Sequence, residues 1–306
     1  MSAWKQGCKA ILVGAVLCAA PLLAPLGHAQ PSPSREAQDG GGGCSTQGAC
    51  ARGVRKPEGA PQRIMSLNIC TDQLLLALVP ERRIASLTFM AREAVPLRTW
   101  PQAARIPVNY GSAEEVLAAR PDMVLTGPFL PALTRQLLER SGARIVEVPL
   151  AETFEQIAAV TRRVAKAVGA EARGEVLVAH MQEDLRALRG ARPATPIRIA
   201  EWGNGGYVPG QGGLFGQVLA AVGARSIAEG DGYYDVEALV AGKPQALLFA
   251  DTYAGLATMR TDQNDHPALK AHIPRVAYTS FYGCGVPQVA AAARRLQADL
   301  KQAVGR

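Results

Sequence analysis

The sequence predicts an α/β protein: two similar lobes with mainly parallel sheets, joined by a long helix, with a cleft between the lobes. Three observations carry this. Short apolar runs alternate with helix-forming segments over most of the chain. The phrase "AEEVLAARPDMVL" at 113–125 returns as "VEALVAGKPQALL" at 236–248, a basic residue preceding the proline each time (Arg120, Lys243). Between the two copies, Thr153 to Gly190 contains almost nothing but helix formers.

The elements follow in order. "PQRIMSLN" carries Ile64, Met65 and Leu67 between turn formers and reads as a buried strand. "TDQLLLALV" is a helix with Thr71 or Asp72 as its cap, and "RRIASLT" a second strand. "SAEEVLAAR" opens with Ser112 and has Glu115 three residues later, a capping box. Pro121 ends that helix by disfavouring helical geometry at the residue before it. "DMVLTG", "PALTRQLLERSGA" and "RIVEVPL" then read as strand, helix and strand. The central stretch is one long helix or two nearly continuous ones, with Gly169 and Gly174 marking a bend. After Pro193 and Pro196 the alternation restarts: "IRIAEWG" strand, "GLFGQVLAAVGA" helix, "RSIAEG" strand, "DVEALVAGK" helix, "QALLFA" strand, "HPALKAHI" helix, "RVAYTSF" strand and a last helix from "PQVAAAARR". The expected domains are a signal peptide at 1–29, a flexible tether at 30–60, an N-terminal lobe at 61–152, a linking helix at 153–192 and a C-terminal lobe at 193–306.

The leader rests on Lys5 and Lys9, an apolar run broken by Pro21 and Pro25, and small residues up to a cut after Ala29. The formal charge is +7, or +5 once Lys5 and Lys9 are removed, with no Lys/Arg block; nucleic acid is not an expected partner. Export places the remaining cysteines in an oxidising compartment. Cys44 and Cys50 lie in a glycine-rich stretch and suit a local loop. Cys70 and Cys284 each follow a strand, one per half. They are candidates for a disulfide, for two independent buried thiols, or for soft ligands to a metal.

In parallel sheets, ligands gather where strands end at their C-termini. The loops there contain Phe89, Phe129, Trp202, Tyr207, Tyr233, Tyr234, Tyr253, Phe281 and Tyr282, several beside glycines. Phe129, Trp202, Tyr207, Tyr233, Phe281 and Tyr282 are the candidate ligand contacts, since rings supply area and glycines allow close approach. Any single ring could instead fill core beneath its loop. Phosphate-loop, nucleophile-elbow and dinucleotide motifs are missing, so no catalytic residue is assigned. His180, His266 and His272 are poorly placed to converge on zinc, and no metal site is assigned.

Glu114 and Glu237 lead the two copies of the repeated phrase. A first-turn acid is favoured by the helix dipole, which is explanation enough for either alone. Taken with "RIMSLNICTDQLLLALVPERRIASLT", "GGLFGQVLAAVGARSIAE" and "HPALKAHIPRVAYTSF", the repeat resembles the class III periplasmic binding proteins of ABC importers for ferric siderophores, haem and cobalamin. The likeness covers about residues 61–303. It implies a monomer that carries a bulky metal chelate as cargo, has no intrinsic cofactor, and delivers to an inner-membrane permease dimer with ATPase subunits. It also implies that Glu114 and Glu237 dock onto that permease. The paired cysteines depart from the family pattern, and the rival reading from them is an exported redox protein or enzyme using Cys70 and Cys284.

Overall fold

The structure is a computed structural model describing residues 59–94, 100–140, 142–202, 206–250, 266–270, 273–278 and 283–305. The expected leader, with Ala29, and the tether up to residue 58, with Cys44 and Cys50, lie outside the described residues, as do Tyr253, His272, Phe281 and Tyr282.

The N-terminal lobe contains β1 (Ile64–Ser66), α1 (Ile69–Leu78), β2 (Ile84–Thr88), α2 (Met90–Ala94), β3 (Val108–Asn109), α3 (Ala113–Ala119), β4 (Met123–Thr126), α4 (Ala132–Arg140) and β5 (Arg144–Glu147). Its sheet is parallel throughout, in the order β3-β2-β1-β4-β5. β1 and β4 are buried at every residue, which is why they read as unbroken apolar runs rather than as alternating strands. Ser112 caps α3 with the expected reciprocal bonds: its side chain accepts from the Glu115 N–H while the Glu115 carboxylate accepts from the Ser112 N–H.

The C-terminal lobe contains β6 (Ile197–Glu201), β7 (Tyr207–Val208), α7 (Gly213–Val222), β8 (Ala224–Ser226), β9 (Gly232–Tyr233), α8 (Val236–Ala241), β10 (Ala246–Ala250), a turn of helix at Pro267–Lys270, β11 (Arg275–Tyr278) and a C-terminal helix, Gln288–Val304. Its parallel sheet runs β11-β10-β6-β8. β7 and β9 form a separate antiparallel pair, which the sequence pattern did not anticipate because each strand is two residues long.

The duplication extends to individual hydrogen bonds. In the first lobe the Asp122 carboxylate accepts the Arg63 backbone N–H at 3.0 Å, and the Arg63 guanidinium donates to the Ala119 carbonyl at 2.7 Å. In the second, Gln245 Oε1 accepts the Arg198 N–H at 2.9 Å, and the Arg198 guanidinium donates to the Gly242 carbonyl at 2.5 Å. Each arrangement ties the end of a helix to the start of the central strand pair of its own lobe. Each also brackets a left-handed residue before proline: Arg120 at φ 45° and Lys243 at φ 49°.

Of the two readings of the central stretch, the structure has two helices, α5 (Phe154–Val168) and α6 (Glu171–Gly190), packed on each other rather than forming a continuous rod. Gly169 closes α5 at φ 64°, and the chain folds back there, so a Cβ at Gly174 would stand 2.5 Å from Ala165 Cβ. Arg162 and Glu175 pair across the fold at 2.8 Å. The break has a simple cause: glycine takes the left-handed conformation at little cost and so ends the helix. Gly169→Ala is therefore expected to cost about 1–2 kcal/mol, from the conformation and from a Cβ 2.7 Å from Ala60 Cβ. Urea unfolding of the variant checks this.

Apolar packing is continuous through the helix pair. One buried cluster holds Ile64 and Leu74 of the first lobe, Ile157 and Val164 of α5, Leu188 of α6, and Val218 and Leu296 of the second. Gln297 reinforces it from the C-terminal helix, donating to the carbonyls of Leu188 and Val222 at 3.2 and 3.1 Å.

Candidate functional site

In the first lobe, β1 to β3 run to one side and β4 and β5 to the other, so the sheet has its switch point between β1 and β4. The loops leaving those two strands begin at Leu67 and Gly127. Asn68 caps α1 by accepting the Cys70 N–H at 2.9 Å, which turns the chain directly from strand into helix. The second lobe has the same plan, with β6 and β8 to one side and β10 and β11 to the other.

The strand ends of the two lobes meet at Cys70 and Cys284. Their Cα atoms are 5.1 Å apart and their Sγ atoms 2.11 Å apart, at bonding distance, across 214 residues of sequence. A cavity of about 160 Å³ lies beside them. Asn68, Thr71 and Pro128 line it from the first lobe, Val148 to Glu152 from the segment crossing out of β5, and Leu214, Gly283 and Gly285 from the second lobe. Gly285 is needed for this approach, because a Cβ there would stand 2.4 Å from the Ala151 carbonyl oxygen. The cavity is well below the 300–1,000 Å³ of a typical small-molecule site, so it forms a floor rather than a complete binding space.

Rings rise around the strand ends. Phe129, after β4, is 80% exposed. Phe89, after β2, stacks on Tyr110, after β3, with ring centroids 5.1 Å apart. In the second lobe Tyr207 and Tyr233, opposite one another across β7 and β9, meet edge to face at 5.6 Å, and Tyr233 is 80% exposed. A hydrogen bond to Asp231 pushes the Tyr207 hydroxyl pKa upward; Asp231 in turn sits below its ordinary value, held chiefly by the Gly210 N–H at 2.9 Å.

Trp202 does not join these rings. It is 1% exposed and packs with Ala200, Val208, Leu239 and Leu247 in the second lobe's own apolar cluster. The expectation of a cleft-lining indole is corrected on this point: the strand end turns the ring inward, where it supports β7. Gly206, at φ 90°, passes close over it. Tyr110 was not among the candidate contacts, since β3 is too short to announce a strand end; the turn "NYGS" ahead of the capping box was the available signal.

Beneath the first lobe's rim lies a buried polar network. Asp72 is fully buried, accepting from the Thr88 N–H at 3.1 Å and the Thr88 hydroxyl at 2.5 Å. Burial pushes its carboxyl up to about 7, against the opposing hydrogen bonds from Ser66 and Thr88. Asn109 donates to the Ser66 and Leu87 carbonyls and to Ser86 Oγ, tying β1, β2 and β3 together at this end. In the second lobe Tyr278 donates to Glu201, whose pKa burial raises.

Glu114 and Glu237 are both exposed, each the second residue of its helix. No group of three or more His, Cys, Asp or Glu with metal-binding geometry occurs among the described residues. No helix among them is long and apolar enough to cross a membrane.

No curated protein matches the chain. Among solved structures, the periplasmic heme-binding protein RhuT from Roseiflexus sp. RS-1 is similar over 80% of this chain and 100% of its own, with 20% identity and a TM-score of 0.67. HutB of Vibrio cholerae, a periplasmic heme-binding protein, matches 78% of this chain and 98% of its own at 19% identity and a TM-score of 0.65. The vitamin B12-binding protein BtuF of Vibrio cholerae matches 81% and 99% at 17% identity and a TM-score of 0.61. These share the two-lobed fold. The model of the family described as periplasmic binding protein matches residues 102–280, more than half of the sequence, and the chain belongs to that family.

Proposed function

We propose that this protein captures a bulky metal chelate, a ferric siderophore, cobalamin or haem, between its lobes and delivers it to an inner-membrane permease dimer powered by ATPase subunits. It acts in the periplasm as a monomer, after its leader is removed, and makes or breaks no bond in its cargo. The observation that carries the reading is a pair of rings in each lobe, Phe89 with Tyr110 and Tyr207 with Tyr233, together with a cavity where the strand ends of the two lobes meet. Phe129, Tyr207 and Tyr233 are the proposed contacts, with Phe89 and Tyr110 extending the first lobe's rim and Phe281 and Tyr282 contributing from outside the described residues. Trp202 holds β7 in place from below. Glu114 and Glu237 are the proposed docking acids. Cys70 and Cys284 are proposed to be bridged in the exported protein, fixing the floor. The comparisons lend nothing to the alternative of a redox enzyme.

A melting screen of purified protein against cobalamins, haem and several ferric siderophores tests this. A true cargo at a hundred times its Kd should stabilise by about 2.7 kcal/mol, raising Tm by roughly 5–10 °C. No shift with any of them would overturn the reading.

A further inference from the structure

The strand-end surfaces of the two lobes differ in kind. That of the first lobe is apolar. Phe129 and Leu133 are exposed after β4 and Leu150 after β5, on the same sheet edge as the Phe89 and Tyr110 stack. That of the second lobe is built from phenols and carboxylates. Asp231 accepts from the Tyr207 hydroxyl and, at 2.9 Å, from the Gly210 N–H. Glu229, two residues earlier, is exposed in the same turn, where a Cβ on Gly210 would stand 2.9 Å from the Glu229 carbonyl oxygen. On the floor where the lobes meet, Glu152 is exposed and lines the cavity.

The exposed charges of the described strand-end loops are thus Glu152, Glu229 and Asp231, against Arg92. Arg92 donates to the Ile106 carbonyl of its own lobe at 3.0 Å. Arg135, on the nearby helix α4, is matched by Glu147. Tyr207 is held as a phenol, chiefly by its bond to Asp231, so its oxygen offers no phenolate to a ferric ion. A carboxylate has about four lone-pair sites, so Asp231 retains acceptor capacity beyond the two bonds it makes. The faces of Tyr207 and Tyr233 are negative as well, through the ring quadrupole. Carboxylates and ring faces both attract cations and hydrogen-bond donors. An anionic group brought against them meets like charge.

We propose that the cleft selects its cargo by charge: it takes chelates with an apolar face and a neutral or cationic, donor-bearing edge, and discriminates against chelates edged with carboxylates or other anions. The apolar face lies against the first lobe, and edge amide or ammonium groups donate to Glu152, Glu229 and Asp231. This rests on the capture reading above and narrows its cargo. An amide-edged corrinoid or a hydroxamate chelate with a free ammonium fits both surfaces, whereas the propionates of haem and the charge of a ferric tris-catecholate oppose the second.

The test titrates the full-length mature protein, by calorimetry, with pairs of chelates that differ only in edge charge. The pairs are cyanocobalamin and its peripheral monocarboxylic acid, haem dimethyl ester and haem in the same detergent, and ferrioxamine B and its N-succinyl derivative. In each pair that binds, the member without the added carboxylate should bind about 10-fold more tightly at low salt, and the gap should shrink as salt rises. Glu152→Gln with Glu229→Gln and Asp231→Asn should bring the two members within about 2-fold of each other. Melting temperature confirms that the triple variant is folded; if it is not, Glu152→Gln with Glu229→Gln should show part of the same narrowing. Equal affinities within the pairs, or tighter binding of the carboxylates, would overturn the charge selection and leave the capture reading standing. An unchanged gap in the variants would overturn the role given to these acids. Binding of no member of any pair would overturn the capture reading itself.

Discussion

Replacing Cys70 and Cys284 together by alanine is expected to lower Tm by roughly 6–12 °C, corresponding to about 3 kcal/mol. The bridge would close a loop of 214 residues, for which the chain-entropy relation gives about 5 kcal/mol; measured values usually fall at 2–4 kcal/mol. Scanning calorimetry of the variant beside wild type, with and without reductant, measures the effect. Reduced wild type should melt with the variant. If both match the untreated protein, the cysteines are unbridged thiols. Alanine is preferred to serine because Cys284 lies within the shared apolar interior, where a hydroxyl would add an unpaired polar group.

The second large effect is a dependence of stability on pH carried by Asp72. Its folded pKa, about 7, lies above the ordinary carboxylate value of 3.8. The folded protein therefore holds a proton that the unfolded chain has lost, and unfolding releases it between those values. Stability from this group is full below about pH 4 and declines as pH rises, until it levels off above about pH 7. The amplitude is about 4 kcal/mol, from 1.36 kcal/mol per pKa unit. Asp72→Asn keeps an acceptor for the Thr88 N–H and cannot ionise. Its melting temperature should lose most of the decline that wild type shows between pH 5 and pH 8. Equal slopes in the two proteins would place the titration elsewhere.

Much of the architecture was legible because parallel strands buried on both faces leave runs such as Ile64–Ser66 and Met123–Thr126, and because Ser112 with Glu115 writes a helix start into local chemistry. The repeat pointed to two lobes, and the hydrogen bonds of Arg63 and Arg198 show the physical reason for it: each lobe needs a tie between a helix end and a neighbouring strand. What stayed hidden depends on tertiary context. Helix propensity is nearly blind to direction, so Gly169 as a reversal could not be told from a slight bend. Two-residue strands such as β7 and β9 carry no period. The candidate site was legible as a set of rings but not as an arrangement: an indole beside glycines gives no sign whether it turns outward or, like Trp202, inward. The same limit concealed Asp72, whose place in the sequence suggested a helix cap; Asn68 caps that helix instead.

The unbroken apolar cluster also bears on how such a molecule can be altered. Its halves look interchangeable, yet neither owns a complete interior: α5 lies against α1, while α6 lies against α7 and the C-terminal helix, and the two are packed on each other. A lobe borrowed from a relative would arrive with a mismatched face toward this helix pair. Recombination or grafting that aims to change cargo is therefore better confined to the rim loops, leaving the shared interior as a single inherited block.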